Sequence, residues 1–294
     1  MTVRRRSRIL LFAATVTSAV GFLWSGILWS ASPRVTPGQE QDFGDQLPRI
    51  AAKSPEESLR EFELIDGFHM ELVAAEPLVV DPVAIDFDAS GRAYVVCMRG
   101  YSEQGNEQLG EVRLLEDADS DGRYDKSTIF AAGLSWPTAI ACFDGGVFIG
   151  AAPDIVYCKD QNGDGVADVR KIVFSGFSRD NVQGLLNSFR WRLDNRIHVA
   201  VSTAGARIRT LLTALDGELI STEDAVSSDA IVLRGRDFSF DPRTLDIEIE
   251  SGGGQHGMSF DDWGRKYVTS NSNHIQQVVI EDHYLRRNPS LPPT

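Results

Sequence analysis

The chain has 294 residues, 42% hydrophobic and 24% charged, with a formal net charge of −13. That length and apolar content suffice for a sizeable core in one large domain or two smaller ones. Arg4, Arg5, Arg6 and Arg8 are the only charges before residue 30, so the rest carries −17, and an acidic body of that kind excludes nucleic acid as a natural partner.

Residues 1–30 form a separate object. The arginine cluster is followed by 21 uncharged, mainly apolar residues, Ile9 to Trp29, long enough to cross a bilayer as a helix. The cationic flank stays cytoplasmic, so the body is expected on the extracytoplasmic side of the inner membrane, tethered by a signal anchor. A cleaved signal peptide, with the body secreted, is the other outcome. Residues 31–60 read as a linker, with Pro33, Pro37, Gly38, Pro48 and Pro55 in polar sequence. Ser54, Pro55 and Glu57 have the spacing of a capping box and predict one short helix near its end.

From about residue 61 the pattern becomes short alternating strands. PVAIDFD turns at ASG into RAYVVCM, PTAIACFD at GG into VFIGAA, NSFRWRLD at Asn195 into RIHVAVS, and GMSFDD leads into RKYVTSN. The turn carboxylates Asp88, Asp144, Asp194 and Asp262 are 56, 50 and 68 residues apart, with the irregular excess assigned to loops such as 99–110 and 203–228. Repeats of this size, each of about four strands, predict an all-β chain whose residues 61–294 form a β-propeller of about four blades, the ring not necessarily complete. A β-sandwich is the competing architecture, but does not by itself produce one hairpin twice at a fixed offset.

That repeated hairpin contains an acidic loop. DADSDGRYD (117–125) and DQNGDGVAD (160–168) start 43 residues apart and place oxygen donors at relative positions one, three, five and nine, with glycine at six. Asp117, Asp119, Asp121 and Asp125, and Asp160, Asn162, Asp164 and Asp168, are therefore candidate Ca²⁺ ligands, with Gly122 and Gly165 at the sharp turn. The EF-hand alternative fails because position twelve is Thr128 or Lys171 and the flanks are strand-like. Simple hairpin turns without metal are the plainer alternative. Cys97, Cys142 and Cys158 are read as buried thiols on strands; a disulfide between Cys142 and Cys158 requires adjacent strands of one blade.

GFHMELVAAEPLVVDPVAIDFDASGRAYVVCMRGY, LLEDADSDGRYDKSTIFAAGL, PDIVYCKDQNGDGVADVRKIVFSGF, GRDFSFDP and SGGGQHGMSFDDWGRKYVTSNSNHI occur in that order. Together they resemble the propeller region of the membrane-bound dehydrogenases of planctomycetes and their relatives, over about Ser54 to the C-terminus. The resemblance implies a propeller similar to that of soluble glucose/sorbosone-type sugar dehydrogenases, with pyrroloquinoline quinone as cofactor and a carbohydrate or polyol as substrate. Members usually continue into helical repeats and a haem-binding CxxCH segment. With three cysteines and no CxxCH this chain holds no c-type haem, so electrons would pass to a separate acceptor such as a cytochrome. Cys97 also stands where the family commonly has an acidic residue.

Ligand sites of propellers lie at the mouth of the central channel, where loops entering the inner strands converge. The candidates there are Arg99 and Tyr101, then Asn181, Gln183, Asn187 and Arg190, then Gln255 and His256 in GGGQHG, and Asn271, Asn273 and His274. His256 is the candidate general base, since oxidising an alcohol requires removal of a hydroxyl proton; a hydrogen-bonded structural histidine is the alternative. His198, in RIHVAVS, reads as an ordinary strand residue. There is no P-loop, GxGxxG, HExxH or GxSxG, which argues against hydride transfer to a nicotinamide. A non-catalytic platform for a glycan or partner protein is the alternative function.

Overall fold

The architecture follows from a hairpin that repeats. A computed structural model describes residues 47, 50–212, 214–216, 230–288 and 290. The chain divides into a unit Met1–Ala52, of which only residues 47 and 50–52 are described, and a unit Lys53–Thr294. The anchor expected at 1–30 lies outside the described residues, among which no helix is long and apolar enough to cross a membrane.

The second unit begins with α1 (Pro55–Leu59), capped as its sequence predicts. Ser54 Oγ accepts the Glu57 N–H at 3.2 Å and the Glu57 carboxylate accepts the Ser54 N–H at 2.8 Å. Four antiparallel sheets follow. The first is β1 (Pro82–Phe87), β2 (Ala93–Cys97), β3 (Gly110–Glu116) and β4 (Lys126–Leu134), paired in sequence order. The second starts with β5 (Pro137–Phe143), β6 (Gly146–Ala151), β7 (Asp154–Lys159) and β8 (Val169–Phe177). A short 3₁₀ turn, η1 (Val182–Gly184), leads into the third sheet, which contains β9 (Asn187–Trp191) and β10 (Ile197–Ala200).

Here the regular meander is interrupted. The chain leaves the third sheet to lay β11 (Ala206–Thr210) and β12 (Ile231–Leu233) onto the outer edge of β8, then returns as β13 (Asp237–Phe240) and β14 (Ile247–Glu250). The second sheet therefore has six strands, and part of the segment expected to be loop at 203–228 is strand, because β8 offers an unpaired edge that β11 satisfies. The fourth sheet is β15 (Met258–Phe260), β16 (Lys266–Val268) and β17 (Gln276–Gln277). The expected strand QQVVIED is reduced to two residues and gives way to α2 (Asp282–Leu285).

The first strands of consecutive sheets adjoin: β1 contacts β5, β5 contacts β9, and β9 contacts β15. The fold is thus propeller-like, and among the described residues no strand pairing returns from the fourth sheet to the first to close a ring. The expectation of uniform four-stranded blades is corrected to sheets of four, six, four and three strands.

Each predicted hairpin opens its sheet, and in three of the four the turn is held by a carboxylate that accepts backbone N–H groups; at the second, Asp144 instead pairs with Lys159. Asp88 Oδ1 accepts the N–H groups of Ser90 and Arg92 at 2.9 and 3.0 Å while Oδ2 takes Arg92 Nε at 2.7 Å. Asp261 does the same for Trp263 and Arg265, at 3.1, 2.9 and 2.6 Å. The turn carboxylate of the fourth hairpin is therefore Asp261 rather than its neighbour Asp262; FDASGR and FDDWGR align on the first aspartate.

The core lies between sheets. Tyr94, Val96, Leu114 and Phe130 of the first pack on Ile140, Val147, Ile149 and Val156 of the second. Phe148 and Phe174 of the second pack edge-on against Phe240 of the third, each with centroids 5.1 Å apart. Strands caught between two neighbours are buried on both faces, as β6 is at all six positions. Ile197 in β10 is 0% exposed within the interface of the second and third sheets. Ile197→Val is expected to cost about 0.5–1.5 kcal/mol, a shift of a few degrees in a melting curve.

Candidate functional site

A cavity of about 640 Å³ opens where the first strands of the sheets meet. Val83 and Ile85 of β1, Thr138 and Ile140 of β5, and Phe189 of β9 give it apolar walls. Polar groups enter from separate segments: Tyr101 after β2, Gln183 on η1, Arg190 on β9, and Gln255, His256 and Asn271 from the segments flanking β15 and β16. Its volume is within the size range of small-molecule sites, and its lining mixes apolar and polar groups.

Local sequence explains how these groups are placed. Asn181 caps the 3₁₀ turn by accepting the Gln183 N–H at 3.0 Å, which sets Gln183 at the rim. Asn187 is buried and has every hydrogen-bonding function engaged. Its Nδ2 donates to the carbonyls of Leu185 and Gln255, at 3.1 and 3.2 Å, and its Oδ1 accepts from Gly257 N and Ser188 Oγ, at 3.0 and 2.9 Å. Asn187, which lines the cavity, ties β9 to the Gln255–Gly257 segment. Ser202, which carried no sequence signal, adds a 2.7 Å bond to the Gln255 carbonyl. The loop bearing Tyr101 is pinned by Trp136 Nε1 on the Gly100 carbonyl (3.3 Å) and by Arg179 on the Gly105 carbonyl (2.9 Å).

The cavity brings together Gln183, Asn187, Arg190, Gln255 and His256, with Tyr101 and Asn271. Arg99, Asn273 and His274 are exposed and do not line it. The SNSN stretch folds on itself, Ser270 N donating to the Asn273 carbonyl at 2.8 Å and Asn273 N to Ser270 Oγ at 3.2 Å, so its polarity serves the turn. His256 is exposed at the cavity; its N–H donates to the Thr269 carbonyl at 3.3 Å and its own carbonyl accepts from Thr269 Oγ1. Arg190 is exposed too, and among the described residues no carboxylate lies within 4.0 Å of it. His198 lies elsewhere, fully buried on β10, with Nε2 2.9 Å from Asp194 Oδ2.

The two acidic loops join β3 to β4 and β7 to β8 and repeat one hydrogen-bond scheme. The first carboxylate accepts the glycine N–H at position six: Asp117 from Gly122 and Asp160 from Gly165, at 2.9 and 2.8 Å. The fifth accepts from position seven: Asp121 from Arg123 and Asp164 from Val166, both at 2.8 Å. The ninth closes the loop on position two: Asp125 on Ala118 N and Asp168 on Gln161 N, at 3.2 and 2.9 Å. Gly122 and Gly165 have φ of +90° and +85°, which a side chain would strain. Ligand atoms of Asp117, Asp119 and Asp121 lie within 4.8 Å of one another, a donor set that fits a hard divalent cation. At Asp160, burial pushes the carboxyl pKa up, but the N–H groups of Gly165, Gly163, Asn162 and Asp164 outweigh it and hold it below the ordinary aspartate value.

The loops also reach across sheets. Ala167, at position eight of the second loop, donates its N–H to the Phe130 carbonyl of β4; Tyr124, at position eight of the first, donates to the Val73 carbonyl, both at 2.9 Å. Val73 thus stands to the first sheet as β4 stands to the second.

The three cysteines are free thiols. Cys142 on β5 and Cys158 on β7 both register with Val147 on the β6 between them. At about 4.8 Å per strand they are roughly 9–10 Å apart, beyond disulfide reach, so the pairing considered from sequence is excluded. Burial raises the Cys158 thiol to about 11 and raises Cys142 as well, the latter helped by the carboxylates of Asp86 and Asp88.

Fold and cavity together define a nearly all-β, propeller-like protein with a cavity at the convergence of its sheets. The chain belongs to the family described as Domain of unknown function (DUF7133), whose match covers residues 54–294. No curated protein matches it. Among solved structures it is similar to the holo form of the pyranose dehydrogenase PQQ domain from Coprinopsis cinerea, with 11% identity and a TM-score of 0.46 over 74% of this chain and 51% of that one. It is also similar to the iodide structure of Trichoderma reesei Carbohydrate-Active Enzymes Family AA12, with 15% identity and a TM-score of 0.39 over 71% of this chain and 62% of that one. The calcium structure of the same enzyme gives 15% identity and a TM-score of 0.36, over 69% and 60%. The chain thus spans between half and two thirds of the length of these structures.

Proposed function

We propose that the cavity binds a quinone and a carbohydrate or polyol, and that the protein is a quinone-dependent dehydrogenase of the membrane-bound type. The observation that carries this reading is the convergence of Gln183, Arg190, Gln255 and His256 on one cavity of about 640 Å³. Pyrroloquinoline quinone is a flat polycarboxylate, and Arg190, with its guanidinium exposed, would pair with a carboxylate while the amides of Gln183 and Gln255 orient the ring. When bound, such a quinone supplies the two-electron acceptor. His256 takes the proton from the substrate hydroxyl. The electrons pass on to a separate acceptor such as a cytochrome.

In the same reading Ca²⁺ occupies loops 117–125 and 160–168 as a structural ion, since no nucleophile or base is paired with its ligands. Residues 1–30 anchor the body on the extracytoplasmic side of the inner membrane, 31–60 act as the tether, and 61–294 form a propeller of about four blades.

One observation favours the alternative of a non-catalytic platform binding a glycan or partner protein: among the described residues no side-chain hydrogen bond orients the His256 imidazole. Quinone titration separates the two. The full chain is expected to bind pyrroloquinoline quinone, with Arg190→Gln weakening affinity roughly tenfold through loss of a charge-assisted hydrogen bond. No binding by the unmodified chain favours the platform.

A further inference from the structure

The stretch that leads into Gln255 and His256 rests on a buried ion pair that carried no sequence signal. Asp237, at the start of β13, is 0% exposed and Lys266, at the start of β16, is 6% exposed, with Nζ 2.6 Å from Oδ2. The pair joins the third sheet to the fourth. Lys266 Nζ also donates to the Ser251 carbonyl at 2.8 Å, and Asp237 Oδ1 accepts from Val201 N and Gly253 N, at 3.1 and 3.2 Å. Every one of these contacts fixes either the third sheet or the stretch Ser251–Gly253, which runs directly into Gln255 and His256.

The fit leaves no slack. A Cβ at Gly252 would lie 1.8 Å from Asp237 Oδ2 and 2.9 Å from Lys266 Nζ, so a larger residue drives the segment off the pair. Beyond it, Asn187 and Ser202 hold the Gln255 carbonyl. The segment is therefore gripped on both sides of the two residues that face the cavity. Desolvating two charges costs about as much as their attraction returns, and apolar replacements of buried pairs are often neutral or stabilising, so net stability is a weak reason for this one.

We propose that Asp237 and Lys266 are positioning residues: the pair sets the Ser251–Gly254 backbone so that Gln255 and His256 present to the cavity in one fixed arrangement. The functional half of this inference rests on the quinone reading above; the structural half does not.

The test uses the full chain and three variants. Gly252→Ala displaces the backbone while leaving both charges. Asp237→Asn with Lys266→Met keeps an acceptor for the two N–H groups but removes the charge and the tie to Ser251. Ile197→Val, in the core of the third sheet, controls for general loss of stability. Backbone amide exchange over 253–257 is expected to accelerate roughly tenfold in the first two and not in the control, and affinity for pyrroloquinoline quinone is expected to fall about tenfold in the same two. Unchanged exchange overturns the proposal, whatever the quinone result. Faster exchange with unchanged quinone affinity also overturns it. If the unmodified chain binds no quinone, the functional reading fails and the exchange comparison alone decides the structural half.

Discussion

Replacing His256 with alanine is expected to lower quinone-dependent oxidation of a polyol by roughly 10²–10⁴-fold, the usual contribution of a positioned general base. The fold is expected to survive, because His256 is exposed and its holds on Thr269 run through its own N–H and carbonyl, both of which alanine keeps. The loss should fall on kcat, with quinone affinity nearly unchanged, since Arg190 and the two glutamines are the residues proposed to carry the binding. Dye reduction by the full chain with Ca²⁺, quinone and a sugar panel measures it. Equal rates for His256→Ala and the unmodified chain would assign the proton transfer to another group, and the exposed phenol of Tyr101 would be examined next.

Removing calcium is expected to produce the second large effect, on stability. An ion held at about a hundred times its dissociation constant contributes about 2.7 kcal/mol per site, which for a domain of this size is roughly 5–10 °C in Tm per loop. Chelation should therefore lower the melting temperature in calcium-containing buffer, and Asp117→Ala and Asp160→Ala should each remove part of that response. Asp160→Ala should be the more damaging, because Asp160 accepts three loop N–H groups, from Asn162, Gly163 and Gly165, whereas Asp117 accepts two, from Asp121 and Gly122. Acid should act in the same direction. The Asp160 carboxyl is held below its ordinary range, so its contribution is present above the unfolded value and is lost as pH falls through the folded one. A melting temperature indifferent to chelator at neutral pH would leave the loops as turns without metal.

The hairpins and acidic loops were legible from sequence because their determinants are local. Asp88 and Asp261 bond to groups two and four residues on, and Asp117 and Asp160 to glycines five residues on. Even there the register slipped by one residue at Asp261, since two adjacent aspartates look alike until their hydrogen bonds are seen. The candidate site was read less completely. Glutamine, arginine and histidine near the starts of inner strands were the candidates, and four of them, Gln183, Arg190, Gln255 and His256, met at the cavity. Asn273 and His274 did not, because an amide-rich stretch has the same composition whether it binds a ligand or satisfies its own turn. Asn187 also lines the cavity, and its amide bonds, which link β9 to Gln255–Gly257, are visible only in the fold.

What the amino-acid order determined by itself was the alternation of strand and turn, the two nine-residue acidic loops, the α1 cap, and the cationic and apolar character of residues 1–30. These depend on residues within one hairpin or one turn of one another. Only the tertiary structure decided that β11 and β12 join the second sheet, that Cys142 and Cys158 are kept apart by β6, and that Asp237 meets Lys266 beneath the glycine run. Those contacts link strands brought together by the packing of whole sheets, and no local periodicity encodes which edges and which charges will be neighbours once the apolar faces have closed.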